Sequence, residues 1–81
     1  MNQRIMLTKK LFNNSLIDML QTQNIYQISI RELCQYAVIN RSTFYKYYRS
    51  QFDLLSEIEQ DLLFNVENML ALQEDYSKNV I

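Results

Sequence analysis

The residue types best suited to chemistry in this chain lie close together in one short segment. Between residues 41 and 49 the chain carries cations, hydroxyls and phenols: Arg41, Ser42, Thr43, Tyr45, Lys46, Tyr47 and Arg49. These groups donate hydrogen bonds, and the cations also attract anions, which is the chemistry that recognises phosphates and base edges. No acidic residue occurs from Leu33 to Phe52 to oppose that attraction. The segment therefore indicates recognition of a polyanion.

A helix through this segment would present two distinct faces. At about 100° per residue, Phe44 and Tyr48 share one face, which is predicted to pack on a core. The opposite face carries a cation and small hydroxyl residues, namely Ser42, Thr43 and Lys46. Tyr45 and Tyr47 flank that outward face, where their phenols can reach phosphates on both sides of a major groove. Arg41 lies in the first turn, from which side chains usually reach bases.

Two short helices joined by a tight turn are predicted to position these residues. Ser29 is a good N-cap for a helix that begins immediately after it, and Glu32 completes a capping box. Asn40 is the expected N-cap of the next helix, which runs from Arg41 to about Tyr48. Two helices in so short a stretch, separated by a three-residue turn, have the layout of a helix-turn-helix unit.

Longer helices are predicted on either side of this unit. Apolar residues at i, i+4, i+7 and i+8 indicate a first helix from residue 3 or 8 to residue 22, with Asn24 as the left-handed residue that ends it. Ser50 is the expected N-cap of a fourth helix that extends to about Leu72. Periodicity is lost from residue 73 to residue 81, which predicts a frayed tail. The apolar stripe predicted for the fourth helix consists of Phe52, Leu55, Ile58, Leu62, Val66 and Met69.

The composition supports one all-helical domain. The chain has 81 residues, 48% of them apolar, and contains neither glycine nor proline. A sheet protein with this composition would lack the residues that usually form its turns, whereas the sequence contains neither of the two residues that break helices. Charge is sorted along the chain: residues 1–52 carry seven cations and two acids, and residues 53–81 carry one cation and seven acids. The net charge of −1 therefore hides a basic half that suits a polyanion and an acidic half that does not.

Catalytic and metal-binding functions find little support in the sequence. The chain has no histidine, and Cys34 is its one cysteine. The chain therefore lacks histidine, which is both the commonest general base and the commonest metal ligand, and it cannot form an intrachain disulfide. Cys34 lies in the middle of the apolar stripe of the second helix, so we expect a buried core thiol. The sequence predicts a protein that is not an enzyme and that binds no cofactor and no metal.

No targeting or membrane segment is recognisable in the sequence. Uninterrupted apolar stretches such as Leu62-Leu63-Phe64 are far shorter than the roughly 20 residues that span a bilayer. A cytoplasmic protein without a membrane partner is the resulting expectation. Leu63, Leu70 and Leu72 broaden the apolar surface of the fourth helix beyond what three short helices can cover, which indicates contact with something outside this chain.

The helix-turn-helix and its surroundings resemble a known family. The resemblance is carried by SIRELC at 29–34, AVINRSTFYKYY at 37–48 and, after Ser50, DLL at 53–55. These runs are similar to the N-terminal DNA-binding domain of TetR-family transcriptional regulators. The resemblance implies a homeodomain-like three-helix bundle at residues 1–56, followed by the rest of a long fourth helix and the tail at 57–81. Family members are mostly repressors that dimerise, place the third helix in the major groove of operator DNA and are released by a small ligand.

The resemblance also implies roles for individual residues. Contacts to bases or phosphates are implied for Arg41, Ser42, Thr43 and Lys46, and phosphate contacts for Tyr45 and Tyr47. Support is implied from Ser29 and Arg31 at the start of the second helix, and Gln51 occupies a further DNA-contacting position. Taken singly, paired tyrosines are more often core or interface aromatics, and clustered cations are often a solvated face. Their joint position on the second helix of the unit favours double-stranded DNA as the partner.

The chain departs from the family pattern at four points. Val38 stands where the family usually has glycine, so we expect the turn to use a conformation that a β-branched residue can reach. Gln51 replaces the usual lysine, and Arg49 replaces a common proline. The fourth point is length, because family members carry a further helical domain for ligand binding and dimerisation, which we expect this chain to lack. A homodimer is therefore expected for a full-length regulator and should be weak or absent in this chain.

A different class of function remains open at this point. The acidic half and the surplus leucines also suit a helical protein-interaction module, which would dock a partner through the apolar stripe of the fourth helix. That alternative leaves the outward face of the third helix unexplained.

Overall fold

The protein is entirely helical over the part of the chain that the structure describes. The structure, a computed structural model, describes residues 3–79, with side chains described for residues 3–71. Four helices follow one another: α1 (Gln3–Met19), α2 (Ile30–Ala37), α3 (Arg41–Tyr47) and α4 (Gln51–Asn79). The predicted fold class, a helix-turn-helix bundle of three helices followed by a long fourth helix, is confirmed.

One apolar core joins all four helices and the connection between the first two. Its buried members are Phe12, Leu16, Met19, Ile28, Leu33, Cys34, Phe44, Tyr48, Leu54 and Ile58. Phe12 of α1 contacts Phe44 of α3 edge to face, with ring centroids 5.3 Å apart. Cys34 is buried, as predicted, and that burial raises the pKa of its thiol, while the nearby Arg41 charge partly opposes the shift. The core is thus built mainly from aromatic and branched side chains on the faces that periodicity had indicated.

The end of α1 differs from the prediction. The helix stops at Met19 and a tighter turn follows, in which Thr22 N–H donates to the Met19 carbonyl. Asn24 does not have the predicted left-handed conformation, since Val38 is the one non-glycine residue with positive φ in the described chain. The Asn24 side chain instead accepts hydrogen bonds from the backbone N–H groups of Tyr26 and Gln27. Asparagine ends the helix region here by starting a side-chain-stabilised turn.

The N-caps predicted at Ser29 and Asn40 are confirmed, but of the predicted capping box only the half made by the Ser29 side chain is seen among the hydrogen bonds of the described residues. Ser29 Oγ accepts from Glu32 N–H at 3.1 Å at the start of α2, and Asn40 Oδ1 accepts from Ser42 N–H at 3.0 Å at the start of α3. Each bond satisfies a backbone donor that has no partner within its helix. The beginnings of both helices are therefore fixed by residues that the sequence shows directly.

Val38 adopts the conformation that we expected it to avoid. It lies at the C-terminus of α2 with φ 58° and ψ 45°, in the left-handed region. Val38 N–H donates to the Gln35 carbonyl and Ile39 N–H to the Cys34 carbonyl, the paired bonds of a Schellman motif. The turn geometry therefore stays that of a glycine-ended helix, although β-branched side chains are disfavoured there. The prediction that the turn avoids the glycine conformation in favour of one suited to a β-branched residue was wrong, because the two backbone bonds at the end of α2 require the left-handed conformation.

The fourth helix is longer than its apolar stripe predicted. Ser50 Oγ accepts from Asp53 N–H at 3.3 Å at its start, and the helix continues past Leu72 to Asn79. Leu54 and Ile58 are its buried residues, whereas Phe52, predicted to lie in the stripe, is 44% exposed. No helix of the described chain is long and apolar enough to cross a membrane. Among residues 51–71, whose side chains are described, only the first two turns of α4 therefore contribute to the core.

Replacing Val38 with glycine should stabilise the protein. A left-handed L-residue costs about 1–2 kcal/mol, and glycine removes that cost while adding some unfolded-state entropy. Val38 is 88% exposed, so little packing is lost. We expect Val38→Gly to raise the free energy of unfolding by about 1 kcal/mol in chemical denaturation. Val38→Ala keeps Cβ and should give a smaller gain in the free energy of unfolding. An equal gain in both variants would contradict the claim that Val38 has a strained backbone.

Truncating Phe44 should unfold much of the molecule. Phe44 is fully buried, and its ring contacts those of Phe12 and Tyr48 at centroid distances of 5.3 Å each. Phe44→Ala should cost about 3–5 kcal/mol, a large fraction of the stability of a small domain. Tyr45→Ala, at the neighbouring exposed aromatic, should cost less than about 1 kcal/mol. Thermal melting followed by circular dichroism compares the two, and similar losses would mean that the faces of α3 are assigned wrongly.

Candidate nucleic-acid interface

Helix α3 carries six of the nine predicted site residues and presents four of these six to solvent. Four of them are exposed, namely Arg41, Ser42, Tyr45 and Lys46, while Thr43 and Tyr47 are half-buried. Phe44 and Tyr48 point the other way and are buried. The helical geometry inferred from the sequence is therefore present in the structure. Hydrogen-bond donors and cations share one continuous surface, supported from behind by aromatic rings.

The orientation of α3 is set by aromatic packing behind that surface. Phe44 and Tyr48 contact each other with ring centroids 5.3 Å apart, and both contact Phe12 of α1, at 5.3 and 6.2 Å. Edge-to-face contacts of this kind restrict rotation as well as burying apolar area. A helix of seven residues is too short to be stable on its own, so its position depends on these rings.

The N-terminal part of α2 borders the same surface. Arg31 and Arg41 both line an open surface depression at the turn between α2 and α3. Ser29 uses its oxygen to cap α2, which leaves its hydroxyl hydrogen available to an external acceptor. The structure thus places Arg31 beside Arg41 at the start of α3, while Ser29 is exposed at the N-cap of α2.

Gln51 is held by a contact within the fold. It is half-buried at the first position of α4, and its Nε2 donates to the Ile28 carbonyl at 2.8 Å. Next to it, Tyr26 and Phe52 pack with ring centroids 5.4 Å apart. These contacts hold the start of α4 beside the start of α2, so one amide donor of Gln51 is already used within the protein.

A cluster that sequence reasoning missed lies beside Tyr47. The Lys9 ammonium of α1 lies 5.8 Å from the ring centroid of Tyr47 and 5.6 Å from that of Tyr48. Glu57 of α4 pairs with Lys9 at 3.5 Å and accepts from the Tyr48 hydroxyl at 3.3 Å. Burial of the Tyr48 hydroxyl, and secondly the negative charge of Glu57, raise the pKa of Tyr48. The hydroxyl therefore stays protonated and can donate its hydrogen bond to Glu57. Nothing in the spacing of Lys9 and Glu57 signals this contact, because they belong to distant helices.

The exposed groups of this surface are suited to recognising an anion. The described residues contain no group of three or more potential ligands that could hold a metal ion. The exposed groups on α3 are cations and neutral donors, and Glu32 is the one acid in the first turn of α2, whereas the described acids of α4 begin at Asp53. An anion with regularly spaced acceptors fits this arrangement best.

The chain is similar to bacterial helix-turn-helix regulators. It is 36% identical over 56 residues to the HTH-type dhaKLM operon transcriptional activator DhaS of Lactococcus lactis subsp. lactis (strain IL1403), a match of 69% of this chain and 30% of that protein. A solved structure described as dihydroxyacetone kinase operon activator DhaS superposes with a TM-score of 0.66 at 36% identity, covering 69% of this chain and 32% of that chain. No family model matches the chain.

These similarities define the class of protein to which the chain is related. Its relatives are helix-turn-helix transcriptional regulators, and it shares their helical fold over the matched residues. The chain spans about a third of the length of the relatives that it matches.

Proposed function

We propose that this chain binds double-stranded DNA in a sequence-specific manner as the DNA-reading part of a transcriptional regulator, with α3 in the major groove. The observation that carries the proposal is the exposed face of α3, where Arg41, Ser42 and Lys46 lie opposite the buried Phe44 and Tyr48. A major groove admits one helix, and side chains at its N-terminal end usually reach base edges. The similarity to a regulator of known helix-turn-helix type supports the same proposal.

Individual roles follow from position on that face. Arg41 in the first turn would read a base, since its guanidinium can form a bidentate contact with guanine. Lys46 would neutralise a phosphate, and the phenols of Tyr45 and Tyr47 would donate to phosphates on either side of the groove. The residues that would add support from α2 and α4 are Ser29, Arg31 and Gln51, the last through the part of its amide that Ile28 does not use.

We further propose that the regulator is of the TetR type and that this chain corresponds to its N-terminal DNA-binding domain. The runs at 29–34 and 37–48 support this assignment, and so does the order of the helices. The resemblance predicts a repressor, whereas the related protein is named an activator. A repressor and an activator need the same DNA-binding surface, and transcription assays distinguish the two. Two copies on a two-fold operator would provide high affinity, since one such unit reads only a half-site.

The exposed apolar residues of α4 favour a second function beside DNA binding. Beyond the second turn of α4, the described large apolar residues are between 51% and 63% exposed: Leu62, Leu63, Phe64, Val66, Met69 and Leu70. A protein-interaction surface on this helix would cover them. The acids of the same helix make it a poor surface for DNA, so the two functions would use different parts of the molecule.

Selection of bound DNA from a random double-stranded pool tests the proposal. We expect enrichment of one short half-site, and log affinity for it should fall linearly with log salt concentration. A sequence-independent polyanion binder would show the salt dependence without enrichment. Absence of retention on heparin at low salt, in a chain folded by circular dichroism, would reject DNA binding and leave the protein-interaction function.

Arg41 and Lys46 should contribute to DNA binding in different ways. Arg41→Ala should weaken binding by about 1–3 kcal/mol and relax one position of the selected site, whereas Lys46→Ala should weaken all sequences alike and reduce the salt slope by about one. Arg41→Lys is the matched control, because it keeps the charge but loses the bidentate geometry. It should retain the salt slope and still lose base discrimination. Unchanged affinity in both alanine variants would contradict the proposed interface.

A further inference from the structure

Lys9 is the least expected charged residue near the proposed interface. It lies on α1, outside the helix-turn-helix unit, with its side chain 35% exposed. Its ammonium contacts the rings of Tyr47 and Tyr48 and pairs with Glu57. A free surface lysine would spread over many rotamers, but this one is held by three groups on two other segments.

Tyr47 needs support of this kind. It is the last residue of α3, and the next residue, Tyr48, has left the helical conformation with φ −137° and ψ 148°. Helix ends fray, and Tyr47 is half-buried, so packing within α3 fixes its ring less firmly than that of Phe44. A cation over the ring face restricts the ring through its quadrupole and keeps the phenol at the edge of the surface.

Glu57 and Tyr48 keep Lys9 in this place. Glu57 uses one carboxylate oxygen for the Lys9 ammonium and the other for the Tyr48 hydroxyl. Tyr48 is itself buried between Phe12 and Phe44, which makes the arrangement rigid. The Lys9 charge is thereby directed to Tyr47 and neutralised by Glu57, and a neutralised ammonium gains less from a phosphate than a free one.

We propose that Lys9 is a positioning residue for DNA binding: held by Glu57 and Tyr48, it orients the Tyr47 phenol for its phosphate contact and makes no phosphate contact itself. This inference rests on the proposed function and adds to it a residue outside the helix-turn-helix. It makes the affinity of α3 depend on a contact between α1 and α4.

A double-mutant cycle tests the role of Lys9. Lys9→Met keeps the length of the side chain and removes the charge, and Tyr47→Phe keeps the ring and removes the phenol hydroxyl. We expect Lys9→Met to weaken binding to the selected half-site about two- to fivefold when Tyr47 is present, and to have almost no effect in the Tyr47→Phe background. The salt slope should stay unchanged, and Lys9→Arg should restore binding.

Lys10→Met provides the matched control, since it removes the same charge at the adjacent exposed position. Its effect on affinity should be equal with and without the Tyr47 hydroxyl. A direct phosphate contact by Lys9 would instead lower the salt slope by about 0.9 and persist in the Tyr47→Phe background, which would overturn the positioning role. Failure of the unaltered chain to bind any selected DNA would overturn the proposed function and this inference together. Binding by the unaltered chain with additive losses would overturn the inference alone.

Discussion

The packing of Phe44 and Tyr48 against Phe12 is the interaction on which the rest of this molecule depends. Helix α3 has seven residues and cannot hold its own shape or direction in water. Three aromatic rings with centroids 5.3 to 6.2 Å apart attach it to α1 and fix which side faces outward. The exposed cations and hydroxyls then share one surface because the opposite side is committed to the core.

The turn between α2 and α3 shows how firmly that arrangement constrains the backbone. A chain without glycine must place another residue at the left-handed end of α2, and here that residue is Val38. The left-handed conformation of Val38 is unfavourable for its side chain. It persists because two backbone bonds, to the carbonyls of Cys34 and Gln35, end α2 in the turn that leads into α3. Val38, the residue with this strained backbone, lies next to the proposed DNA-reading surface, and its side chain is exposed to solvent.

Charge and apolar surface are separated along the molecule in a way that suits two partners. Apart from Glu32, the charged residues of the helix-turn-helix are cations, while the described part of α4 beyond its second turn exposes acids together with large apolar side chains. A polyanion is attracted to one end and repelled from the other. Glu57 is the exception that links the two regions, because it faces back to Lys9 and Tyr48. The orientation of Tyr47 is thus connected to α4 as well as to α3.

Local sequence by itself determined the helices, the caps at Ser29, Asn40 and Ser50, and the two faces of α3, because each depends on residues within a turn or two. The tertiary structure alone decided what joins distant segments. The Lys9 contacts and the Gln51 bond to Ile28 depend on how α1, α3 and α4 meet, which no spacing encodes. The left-handed conformation of Val38 runs against the preference of its own side chain, so it is seen only in the folded chain, where two backbone bonds close the end of α2. Helix α4 passes residue 72 because a backbone without glycine or proline continues its hydrogen bonds even where the apolar stripe that revealed the helix has ended.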